Sequence, residues 1–155
     1  MSELDGDLAS GHDDGLLGAI VRLNLAVTQV LEGITGAHGI NLADYLVLGV
    51  VRGARGGQSA PTAICEVLGR TTGGMSLTLD RLTAAGWLVR SPDPADRRRV
   101  VVELTPAGRA LATAVNADLH AWEASLALPG DPGETVSVID ALAHSVRRRA
   151  VLSRP

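Results

Sequence analysis

A mostly α (α+β) fold is predicted, with a winged helix-turn-helix set between N- and C-terminal helical arms. Three observations predict it. Apolar residues recur at helical spacing over most of the chain. Two short helical patterns, each closed by a glycine, lie back to back between residues 61 and 86. Directly after them, two β-prone runs flank a tip rich in Pro, Asp and Arg.

The elements follow in order. Residues 1–13 are acidic and polar and read as a flexible tail. Leu16, Leu17, Ile20, Leu23, Val27, Val30, Leu31 and Ile34 recur as one face of a first helix. Asp13 or Asp14 caps its start, and Gly36 and Gly39 end it. Asn41 caps a second helix carrying Leu42, Tyr45, Leu46, Leu48 and Val50. RGARGGQS, residues 52–59, is a Gly-rich connector. Pro61 opens a short helix to Leu68, because a first-turn proline loses no hydrogen bond, and Gly69 stops it. Thr71 or Thr72 caps the next helix, which buries Met75, Leu79 and Leu82 and runs to about Ala85 before Gly86. Residues 87–90 and 100–104 form a hairpin, placed where a wing belongs. Thr105 as cap and Pro106 in the first turn start a long helix with Leu111, Val115, Leu119 and Trp122. The PGDPG run at 129–133 breaks it. A last helix runs from Glu134 to about residue 151 and ends in Arg147, Arg148 and Arg149, where cations suit the helix dipole. Residues 14–152 read as one domain: N-terminal helices over 14–52, a winged lobe over 58–105 and C-terminal helices over 106–152.

Composition narrows the function. The 155 residues are 46% hydrophobic and 20% charged, enough for a packed core. There is no Phe, and Trp87, Trp122 and Tyr45 are the only aromatics, so the core must be aliphatic. The single Cys65 allows no internal disulfide and reads as inert packing rather than a redox group. The N-terminus lacks the order of a signal peptide, and no unbroken run of about 18 apolar residues occurs, so a cytoplasmic chain with no membrane partner is expected. No cofactor or metal is expected either. The four histidines are scattered, His120 and Glu123 share a helical face only as a pair, and there is no nucleophile elbow, phosphate loop or paired cysteine. Nothing supports catalysis.

Net charge is −3, which by itself argues against nucleic acid. Its distribution argues the other way. Residues 52–109 hold nine Arg against five acids, a balance of +4 on an otherwise acidic body. All fourteen cations are Arg, which fits a genomic composition bias.

The stretch LDRLTAAGWLVRSPDPADRRRVVVELTPAG, residues 79–108, resembles the multiple-antibiotic-resistance regulator (MarR) family. LDRL ends the second helix of the motif, Gly-Trp follows at the turn, and D-x-R stands in the wing before V-x-L-T-x-x-G. Upstream, HGINL at 38–42 and Tyr45-x-x-Leu48 are similar to the family's entry into its second helix. The resemblance spans roughly residues 14–152 and implies a transcriptional regulator, a ligand-responsive repressor, acting on double-stranded DNA as a homodimer. The first, fifth and sixth helices would pair two chains over a pseudo-palindromic operator. A small-molecule effector would bind between the dimerisation helices and the DNA-binding lobe. Apolar stripes on the terminal helices also ask for a partner surface, or for each other.

The site residues follow from chemistry. Thr71, Thr72, Ser76 and Thr78 offer hydroxyls to phosphates or base edges, and Gly73 allows close backbone approach at a helix N-terminus. Arg81 either reaches a phosphate or, like Asp80, pairs with a neighbour to hold the wing. Leu77 stands where relatives often carry a basic residue, and it can touch a thymine methyl but cannot bond guanine. Arg97, Arg98 and Arg99 form the wing tip beside Asp96. In the family pattern Asp96 orients Arg98 into a narrow minor groove, and Arg97 and Arg99 meet flanking phosphates. The alternative is a winged helix used as a protein–protein interaction module, its arginines meeting an acidic partner.

Overall fold

The computed structural model describes residues 15–128 and 130–152, with side chains to residue 148. The expected tail at 1–13, the Asp13 or Asp14 cap, Pro129 and the Arg149 side chain lie outside the described residues. Two compact units divide between Leu119 and His120.

The first unit begins with α1 (Gly15–Ala37) and α2 (Leu42–Gly53). The Asn41 side chain caps α2 by accepting from the Asp44 backbone N–H at 2.8 Å. After α2 a single 3-10 turn, Arg55–Gly57, leads to β1 (Gln58–Ser59). Gly56 and Gly57 sit at φ of 77° and 73°, which glycine adopts without strain. The sequence gives no hint of β1 in this connector. Two residues carry no periodicity, and the strand exists only because β3 pairs with it.

The helix-turn-helix is α3 (Pro61–Leu68) and α4 (Thr72–Ala84), as the sequence predicts. Gly69 closes α3 in the left-handed region at φ 62°. Strands β2 (Leu88–Pro92) and β3 (Val100–Leu104) form the wing, and the sheet order is β1-β3-β2, all antiparallel. Arg90 faces Val102 across the hairpin, and Gln58 faces Glu103.

The core is aliphatic. Val47, Leu48 and Val51 of α2 meet Ile64, Met75, Leu79, Leu82, Leu88 and Val102, with Ala112 and Val115 of α5 (Pro106–Ala124). Each large side chain buried there contributes about 1.5–3 kcal/mol. Cys65 is buried on α3. Two polar bonds tie α5 to the N-terminal helices: Arg52 Nη2 donates to Asn116 Oδ1 at 2.8 Å, and His38 Nε2 lies 2.7 Å from Asp118 Oδ2.

The L-T-x-x-G run works as a clasp. The Thr105 hydroxyl donates to the Gly86 carbonyl at 2.6 Å and accepts from the Gly108 N–H at 3.0 Å. The Thr105 N–H donates to the Trp87 carbonyl at 3.1 Å. Gly108 has no room for a side chain, since a Cβ there would lie 2.0 Å from the Trp87 oxygen. Glycine, Thr and the Gly-Trp turn are thus one device that fixes the root of the wing to the start of α5.

No unbroken apolar run exists, as read from the sequence, although an 18-residue window of the 23-residue α1 averages a hydropathy of 1.3, enough by length and composition alone to cross a membrane. Arg22 and Glu32 interrupt the run without lowering the average enough. Only Thr35 of α1 is buried, and Leu16, Leu17, Val21, Leu23 and Leu25 are exposed.

The second unit holds the end of α5 and α6 (Pro132–Leu152). α6 starts two residues before the expected Glu134, because Pro132 fits the first turn and Asp131 Oδ1 accepts from the Glu134 N–H at 3.1 Å. It exposes Val136, Val138, Ile139 and Val146. Arg147 and Arg148 are exposed near its end.

Candidate nucleic-acid interface

On α4 the core claims Met75, Thr78, Leu79 and Leu82. The exposed residues are Thr72, Gly73, Gly74, Ser76, Leu77, Asp80, Arg81 and Ala84, with Thr71 exposed just ahead. Thr71 occupies the N-cap position, but its side chain makes no capping bond. The first N–H groups of α4 therefore receive no cap from Thr71, and the positive end of the helix dipole lies at this exposed start.

Two expected site residues are placed differently. Thr78 is 5% exposed and its hydroxyl donates to the Gly74 carbonyl at 3.2 Å, so it faces the core and not a groove. One residue earlier or later on a helix is a turn of 100°, and Thr78 falls on the stripe of Met75, Leu79 and Leu82. Arg81 leans back onto α2. Its Nε donates to Asp44 Oδ2 at 2.9 Å, and its Nη2 pairs with Asp44 Oδ1. The hydrogen bond to Asp44, with the charge of that carboxylate, pushes the guanidinium pKa above its ordinary value.

Asp44 itself is 3% exposed and also accepts from Asn41 Nδ2 at 3.0 Å. A carboxylate buried on an apolar stripe needs a paired cation. That is the signal the sequence carried: Asp44, Leu48 and Val51 share one helical face. Asp80 pairs with Arg90 of β2 at 2.7 Å, which links α4 to the wing. Asp44 and Arg90 are the residues that sequence reasoning missed.

The wing tip holds itself in shape. Asp93 Oδ1 accepts from the Ala95 N–H at 2.8 Å, Asp96 Oδ1 accepts from the Arg98 N–H at 3.1 Å, and the Asp93 N–H donates to the Arg99 carbonyl at 2.9 Å. Asp96 thus shapes the Arg98 backbone, and its carboxylate pairs with Arg99 Nε at 3.5 Å rather than with the Arg98 side chain. Arg97, Arg98 and Arg99 are all exposed, and among the described residues neither Arg97 nor Arg98 has an ion-pair partner.

A cavity of about 560 Å³ lies beside α4, lined among others by Glu32, Asn41, Arg70, Thr78 and Arg81. Elsewhere, His120 Nδ1 lies 3.3 Å from Glu123 Oε2, and no group of three metal-ligating side chains occurs among the described residues.

A family model described as MarR family matches residues 38–99, which takes in α2, the helix-turn-helix and the wing tip. The multiple antibiotic resistance protein MarR of Escherichia coli (strain K12) is 32% identical over 109 residues, covering 67% of this chain and 74% of that protein. The chain belongs to the MarR family. MarR of Salmonella typhimurium is 34% identical over 92 residues, and that alignment spans 59% of this chain and only 62% of the relative's length. Among solved structures, a mutant of E. coli MarR complexed with operator DNA superposes with a TM-score of 0.67 at 29% identity, over 84% of this chain and 92% of that one. The likeness to the E. coli structure therefore covers most of the chain, and the family match takes in the helix-turn-helix and the wing.

Proposed function

We propose that this MarR-family chain is a sequence-specific DNA-binding regulator of transcription that works by binding, without catalysis. The carrying observation is the wing tip: exposed arginines, two of them without an ion-pair partner among the described residues, on a turn braced by its own aspartates. A narrow minor groove attracts inserted Arg. On this reading Arg98 enters the groove while Arg97 and Arg99 meet phosphates. α4 lies in the major groove, and Thr71, Thr72, Gly73, Ser76 and Leu77 face the DNA. Asp96 supports the tip. Thr78 and Arg81 leave the contact set and hold the helix in place. The operator complex of the E. coli relative supports the same use of the fold.

The regulator acts as a homodimer on a pseudo-palindrome, each chain reading one half-site. The exposed apolar residues of α1 and of α6 support this, since such surfaces favour a partner. Light scattering at twice the chain mass is expected, and monomer mass removes the dimer. The cavity beside Arg81 supports response to a small effector, because a ligand there would touch Thr78 and Arg81 of α4 directly. Repression is the simplest output: a dimer seated on an operator excludes polymerase. Such a protein works in the cytoplasm, where the DNA is.

The test is binding to fluorescent mixed-sequence duplex across a salt series. Steep loss of affinity with salt is expected, and Arg98→Ala flattens the slope by about one unit per half-site. An unchanged slope takes the tip off the DNA.

A further inference from the structure

On the reading that α4 lies in a major groove, we propose that Leu77 makes the helix a reader of thymine, through contact with the thymine C5-methyl group, and that α4 itself contributes no guanine-reading fork.

The charged groups of α4 are Asp80 and Arg81, and both are spent within the protein. Arg81 is held by two contacts to the buried Asp44, and Asp80 is held by Arg90 at 2.7 Å. The strongest direct contact to guanine is a bidentate Arg or Lys, and the contact to cytosine is an acidic acceptor. Neither is free on this helix. What faces outward at helical spacing is Gly73, Ser76, Leu77 and Asp80. Ser76 can serve any base, because a hydroxyl both donates and accepts. Leu77 serves one. In the major groove the apolar feature of the base edges is the thymine methyl.

Leu77 is 69% exposed, while every other large apolar residue of α4 is buried. It stands among a glycine, a serine and an aspartate, so it is a single apolar point rather than a patch able to seat another protein. Gly73, one turn earlier, lets the backbone come close enough for a side chain of only four carbons to reach a base edge, and a Cβ there would meet nothing within 4 Å.

The experiment uses the full chain. A preferred duplex is first selected from a random pool, and each thymine is then replaced singly by deoxyuridine, which keeps every hydrogen bond and removes only the methyl. For the wild-type protein, one thymine per half-site is expected to lose about fourfold in affinity on replacement, the worth of one buried methyl. Replacing both symmetric copies is expected to cost about fifteenfold. Leu77→Ala, whose exposed site leaves the core untouched, is expected to bind with no discrimination between thymine and uracil at that position. 5-Methylcytosine at the same position is expected to recover part of the loss relative to cytosine. If the wild type ignores every uracil substitution, or if Leu77→Ala discriminates as the wild type does, the thymine reading is overturned while DNA binding stands. If no duplex binds at any salt, the DNA reading fails and this inference falls with it.

Discussion

The recognition helix and the wing tip face the same proposed ligand with opposite chemistry. α4 carries two charged side chains and ties both into the protein, to Asp44 and to Arg90. The wing tip carries three consecutive arginines and leaves two without an ion-pair partner among the described residues. The helix thus presents shape, hydroxyls and one leucine; the wing presents charge. Charge supplies affinity that every sequence shares and that salt screens, whereas groove-edge contacts distinguish sequences. Affinity and selectivity are assigned to different elements of one small lobe.

The sharpest way to break this division is to remove the charge. Arg97→Ala, Arg98→Ala and Arg99→Ala combined are expected to lower affinity by about a hundredfold or more near physiological salt and to flatten the salt slope by about three units per half-site. The ranking of selected over random duplexes is expected to weaken only by the narrow-groove preference that Arg98 supplies and otherwise to survive, read by competition. A collapse of that ranking would mean that the wing, too, reads sequence.

The second way is to loosen the helix. Asp44→Ala removes the anchor of Arg81 and is expected to cost about 2 kcal/mol in urea unfolding. That is below the 3–5 kcal/mol typical of breaking a fully buried pair, roughly, because Arg81 remains half exposed and water stabilises it once released. Selectivity is expected to fall with little change in salt slope. A freed Arg81 that steepened the slope instead would put it on a phosphate. The smallest effect is at the surface. Asp80→Asn frees Arg90 and is expected to change stability by less than about 1 kcal/mol, because both partners are well exposed.

Local chemistry made most of the fold legible. Pro61, Gly69, Gly86 and Thr105 act where a first turn, a left-handed stop and a cap require those residue types, so the boundaries of α3, α5 and the wing could be read directly. β1 could not, because a two-residue strand is made by its partner and not by its own pattern. At the site, residue types were legible but their directions were not. Thr78 looked like one more hydroxyl beside Thr71, Thr72 and Ser76 until its place on the Met75–Leu79 stripe turned it inward. Arg81 looked available because its partner, Asp44, lies 37 positions away and only packing of α2 on α4 brings the two together. The arginines of the tip were legible outright, since a hairpin turn has no core to claim them.

The braced turn of the wing has a consequence for timing. Asp93 and Asp96 fold the tip through bonds to Ala95, Arg98 and the Arg99 backbone before any nucleic acid arrives. A loop that must be ordered on arrival gives up conformational entropy at the moment of docking and slows the productive encounter. Here that entropy is lost once, during folding. On the proposed DNA reading, the target would meet a loop already folded by these bonds, and residence would be governed by how fast the arginines let go.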